Sequence, residues 1–120
     1  MHQLTQRLID RIHAQTENGQ IRWREGASKS AFAFEADDYN VVVDANPSTV
    51  TLLITDGDGR ELETLDEEDL SAVSSPGGRD YEAIVRDIHA NARRVAMGTD
   101  DAIERILRAM GEDEGGSGRW

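Results

Sequence analysis

The sequence predicts an α+β domain: an N-terminal helix, an antiparallel meander of four to five strands, and two C-terminal helices packed on one face of that sheet. Three observations carry this expectation. Apolar residues recur at helical spacing near both ends of the chain, over 3–18, 80–97 and 99–110. Between them, over 20–65, apolar and polar side chains alternate with the period of two that half-buried strands show. The breaks in that middle stretch are short and rich in Asp, Asn, Gly and Pro, which suits hairpins and leaves no room for crossover helices.

In the first helix Leu4, Leu8 and Ile12 recur every four residues and Ile9 widens the stripe. Asn18-Gly19 stops it, because both residues tolerate the left-handed backbone that ends helices. Ile21 and Trp23, alternating with Gln20, Arg22 and Arg24, read as a half-buried strand. After a loop at 26–30, Phe32 and Phe34 alternate with Ala31, Ala33 and Glu35, and Asp37-Asp38 turns the chain into a strand over 39–44. Asn46-Pro47-Ser48 turns it again, since proline fixes φ and cannot donate to a ladder. Val50, Leu52 and Ile54 then point one way, and Thr49, Thr51, Leu53 and Thr55 the other. The Asp-Gly pairs at 56–59 supply the positive φ values a tight hairpin needs, and 61–65 is the returning strand.

Residues 66–79 are a polar connection with a short helical turn at 66–73 and a clear break at 74–78. Tyr81, Ile84, Val85, Ile88, Ala92 and Val95 form the stripe of the long helix, which Gly98 ends. Thr99 is placed to cap the last helix, with Asp100 and Asp101 favourable in its first turn. Ile103, Ile106, Leu107 and Met110 make its apolar face. With 120 residues the chain is one domain, over 1–111, followed by an acidic then Gly-rich tail over 112–120 that is expected to be disordered.

The net charge is −11, from 24 acidic against 13 basic residues. That balance favours solubility and disfavours direct contact with nucleic-acid phosphate or anionic lipid. The chain has no cysteine, which removes disulfides and thiolate chemistry and suits a reducing cytoplasm. No apolar run is long enough to cross a membrane, and residues 1–6 lack the character of a signal peptide.

The chemistry-bearing patterns are weak. Asp56-x-Asp58 begins like a calcium loop, but Arg60 and Glu61 stand where an oxygen ligand and a glycine are needed. His2, His13 and His89 match no metal spacing. No nucleophile elbow, phosphate loop or dinucleotide fingerprint is present. An enzyme would need a pocket that gathers residues distant in sequence, around His13 or His89, and neither a cofactor nor a catalytic residue is expected.

What stands out is charge. Asp56, Asp58, Glu61, Glu63, Asp66, Glu67, Glu68 and Asp69 place eight carboxylates in one hairpin and the segment after it. Arg86, His89 and Arg93 form a modest basic stripe one turn after Glu82. Leu53, with Val42 nearby, leaves some apolar surface on the sheet face away from the helices.

The runs Gly19-Gln20-Ile21-Arg22-Trp23, Leu52 to Gly59, Ala92 to Gly98 and Ile103 to Met110 together resemble a recurring pattern in small uncharacterised bacterial or phage α-β(4)-α proteins: helix, G-x-I-x-W strand, meander with a D-G turn, paired helices. The resemblance covers most of the chain. It implies the fold and a bacterial or phage origin, and it brings no catalytic residue.

The expected function is a non-enzymatic acidic interaction module, an adaptor, regulatory or immunity-type partner in the cytoplasm, binding a protein with a basic surface. The alternative is a nucleic-acid mimic, such as a phage anti-defence inhibitor, using Asp56 to Asp69 as a phosphate-like row. The 13 interspersed basic residues count against that alternative. Secretion chaperones share the composition without the strand–helix order. A homodimer is expected through a sheet edge or the uncovered sheet face.

Overall fold

The computed structural model describes residues 1–111; the tail over 112–120, with its expected disorder, lies outside the described residues. Five strands, β1 (Arg24–Glu25), β2 (Ala31–Ala36), β3 (Tyr39–Ala45), β4 (Val50–Thr55) and β5 (Glu61–Leu65), form one antiparallel sheet in sequence order. Helix α1 (Gln3–Glu17) precedes it, and α2 (Glu67–Ser71), α3 (Tyr81–Ala96) and α4 (Thr99–Ala109) follow. The expected helix, meander and C-terminal helix pair are all present. Helix α3 lies across β1 to β4, α1 runs along α3, and α4 meets α3.

Register explains the core. Phe32, Val43, Leu52 and Leu65 form one row across four strands, and all four are buried. Ile9 and Ile12 of α1, Leu70 of α2, and Tyr81, Ile84, Val85, Ile88 and Ala92 of α3 close over that row. Each fully buried side chain of this kind stabilises by about 1.5–3 kcal/mol. Exposed ion pairs each give about 0–1 kcal/mol, so this cluster decides the fold.

Four local expectations change. The buried stripe of α1 is Thr5, Ile9, Ile12 and Thr16, while Leu4 is exposed. The helix is rotated because its threonines are hydrogen-bonded: Thr5 Oγ1 donates to the Glu63 carboxylate at 3.1 and 3.2 Å, and Thr16 Oγ1 accepts the Trp23 indole N–H at 3.1 Å.

Ile21 and Trp23 are buried, but the ladder begins only at Arg24. Gly19, at φ +71°, ends α1, and the next residues cross to the sheet with Ile21 and Trp23 as plugs. Trp23 stands edge-on to Phe34, ring centres 4.8 Å apart. The G-x-I-x-W run is therefore a helix-to-sheet bridge.

In the β4–β5 hairpin only Gly59 has positive φ. The Asp56 carboxylate accepts the N–H groups of Asp58 and Arg60 at 3.0 and 2.9 Å, which fixes the turn and leaves one left-handed position to fill. The tighter two-residue turn is Asp37-Asp38, where both residues have positive φ, as a type I′ hairpin requires.

The fourth change is at α4. Gly98, at φ +63°, is its N-cap, and Thr99 is already helical, with no side-chain cap bond. None of the residues of α4 is buried.

Candidate protein-interaction site

The acidic hairpin is largely occupied with its own chain. Asp56 organises its turn and also accepts Arg60 Nε at 3.0 Å, and hydrogen bonding from the Arg60 backbone N–H, then from its guanidinium, holds the Asp56 carboxyl below the usual range. Glu63 accepts Thr5. Asp66 and Asp69 cap α2 reciprocally, at 2.9 and 3.2 Å, and Glu67 accepts the Val50 N–H at 3.4 Å. Among the described residues, Asp58, Glu61 and Glu68 keep exposed carboxylates with no hydrogen bond or ion pair.

The basic stripe is divided in the same way. Arg86 pairs with Glu82 at 3.1 Å and donates to the Asn46 carbonyl at 2.9 Å, so it ties α3 to the β3–β4 turn. His89 Nε2 lies 2.6 Å from the Ser30 carbonyl. Arg93 is exposed.

Leu53 is paired directly opposite Val42 on the sheet face away from α3, and both are half-buried. Together with Ala33, Asn40, Asp44 and Thr55 they floor a shallow hollow of about 460 Å³. Gly26 rims it; a side chain there would strike Ala31, with its Cβ 3.0 Å from the Ala31 Cβ and carbonyl oxygen. A second hollow of about 500 Å³ lies where Leu4, Leu8, Arg7 and Arg11 of α1 face Ile54 and Glu63.

The histidines do not combine. His13 Nε2 lies 2.8 Å from Asp87 Oδ2 and 2.9 Å from Glu17 Oε1, joining α1 to α3. These three side chains offer donor atoms within 4.8 Å of one another, a set that would suit a borderline divalent ion. Here one imidazole N–H already serves both carboxylates, and the Arg79 guanidinium sits 3.9 Å from Asp87 as a competing cation. The cluster reads as a helix–helix clamp. Beside it, Tyr81 donates to Asp10 at 3.2 Å, and burial, reinforced by the Asp10 charge, raises the Tyr81 phenol above its ordinary pKa.

The surface that sequence reasoning missed is α4. Ile103, Ile106, Leu107 and Met110 are 42, 57, 36 and 55% exposed, and Val95 and Met97 before the elbow are also exposed. The apolar face was legible from spacing; that no other described residue buries it was not. No family model, no curated protein and no solved structure matches this chain.

Proposed function

We propose that this protein is a non-enzymatic protein-interaction module whose docking element is α4. The observation that carries the reading is a strongly amphipathic helix whose apolar side chains stay 36 to 57% exposed among the described residues. An isolated helix of eleven residues is marginal in water, and most helices in proteins are held by packing of that face. Covering six half-exposed apolar side chains would recover on the order of 1 kcal/mol each, half the usual value for full burial. With a matching contribution from the other side, about 12 kcal/mol in all, set against association costs of roughly 4–15 kcal/mol, the affinity is micromolar only at the low end of that cost and weaker above it.

The acidic hairpin is secondary in this reading. Asp58, Glu61 and Glu68 can steer a basic partner, since exposed charge acts more on encounter than on affinity. The lack of cysteine suits action in the cytoplasm.

The test is chemical crosslinking of the full chain followed by peptide mapping, run beside Ile106→Glu/Leu107→Glu. Crosslinks to another polypeptide that radiate from α4 and vanish in the variant support the reading. Crosslinks that centre on residues 56–69 or on the Val42–Leu53 face, unchanged in the variant, contradict it.

A further inference from the structure

We propose that the apolar face of α4 is covered by α4 of a second copy of this chain, packed antiparallel about a two-fold axis. This rests on α4 being the docking element and names its partner.

Self-complementarity is the first ground. A two-fold interface must match itself, so residue i meets j and j meets i. Along the α4 strip, Thr99, Ile103, Ile106 and Met110 are spaced four, three and four residues apart. That spacing reads the same in both directions. Laid antiparallel, Ile103 meets Ile106 of the second copy, and Thr99 meets its Met110. Ala102 and Ala109 flank the strip on one side and let two helices approach closely.

Charge is the second ground. The chain carries −11 overall, so two copies repel over most of their surface. The segment 93–110, with four arginines against three carboxylates, does not share that acidic excess. Asp101, Glu104, Arg105 and Arg108 sit on the side of α4 opposite the strip, with Asp101 and Arg105 paired at 3.1 Å, so the seam itself buries no charge from them. Asp100 and Asp101 come first and Arg105 and Arg108 last. Antiparallel packing therefore sets unlike ends side by side, in the sense the helix dipoles also favour.

Sedimentation of the full chain from low to high micromolar concentration tests this. The expected result is a monomer–dimer equilibrium, with the dissociation constant raised at least about tenfold in Ile106→Glu/Leu107→Glu at unchanged circular dichroism. The chain has no cysteine of its own, so Thr99→Cys and Met110→Cys report geometry cleanly. The two variants mixed under mild oxidation are expected to give a covalent heterodimer, and neither alone a covalent homodimer. A monomer at every concentration overturns the second copy as occupant and leaves the docking reading to its crosslinking test. A dimer that persists in the double variant places the self-contact elsewhere and overturns the α4–α4 packing. Homodimers from Thr99→Cys alone overturn the antiparallel arrangement.

Discussion

Arg94 and Asp100 are paired across the Gly98 elbow, so the last turn of α3 is tied to the first turn of α4. Both side chains are substantially exposed. The pair therefore sets the direction of α4 more than it stabilises the fold, because exposed pairs contribute about 0–1 kcal/mol. Asp100→Asn is expected to leave the urea midpoint of the core unchanged while amide exchange in the first turn of α4 becomes faster.

Gly98→Ala tests the elbow itself. A Cβ there meets nothing within 4 Å, so the whole penalty is the left-handed backbone, about 1–2 kcal/mol. Because no residue of α4 is buried, the strain is released by unwinding α4 before the core is touched. Circular dichroism should lose about one short helix while the main unfolding transition stays in place. Gly98→Asn should retain more helix, since asparagine tolerates this conformation.

Tyr81 joins burial to a polar bond. Tyr81→Phe removes only the hydroxyl that donates to Asp10 and should cost about 1–3 kcal/mol by urea denaturation. Its pH dependence has a defined sign. The phenol is raised in the folded state, so its contribution is complete below the ordinary value near 10 and is lost as pH rises through the folded value. The alkaline loss of stability should be smaller in Tyr81→Phe.

Asp56 gives the opposite sign. Its carboxyl is depressed in the folded state, chiefly by the Arg60 N–H, so its contribution is complete above the ordinary value and is lost as pH falls through the folded one. Asp56→Asn should be less stable than the native chain at neutral pH. The difference should narrow under acid, measured as urea midpoints across the acid limb.

Trp23 and Arg86 separate core from surface. Trp23→Ala empties a buried site and strips the Thr16 hydroxyl of its donor, with an expected cost of about 3–5 kcal/mol. Arg86→Ala should cost about 1 kcal/mol or less, as its guanidinium serves one partly exposed pair and one turn carbonyl.

Much of the fold was legible because its signals are local. Alternation placed Val50, Leu52 and Ile54 on one face, and the register confirms Leu53 beside Val42 on the other. The misses share a physical cause, which is that partners distant in sequence decide them. Thr5 and Thr16 enter the core only because Glu63 and Trp23 meet them. The carboxylates between Asp56 and Asp69 look like one acidic surface in sequence, yet five of them are engaged within the chain: Asp56, Asp66 and Asp69 by turn and capping bonds, Glu63 by the Thr5 hydroxyl and Glu67 by the Val50 N–H. His13 is unremarkable until α3 brings Asp87 to it. The apolar face of α4 is plain in the spacing, but whether a face is covered is a property of tertiary packing, which spacing does not encode.

The most direct measurement is amide hydrogen exchange of α4 as a function of chain concentration. If α4 is the docking element and a second copy covers it, exchange over 99–110 slows as concentration rises through the micromolar range, while the amides of β2 to β4 stay unchanged. Exchange over 99–110 that stays fast at every concentration would contradict self-association through α4. Slowing confined to 56–69 or to β5 would move the contact to the acidic hairpin.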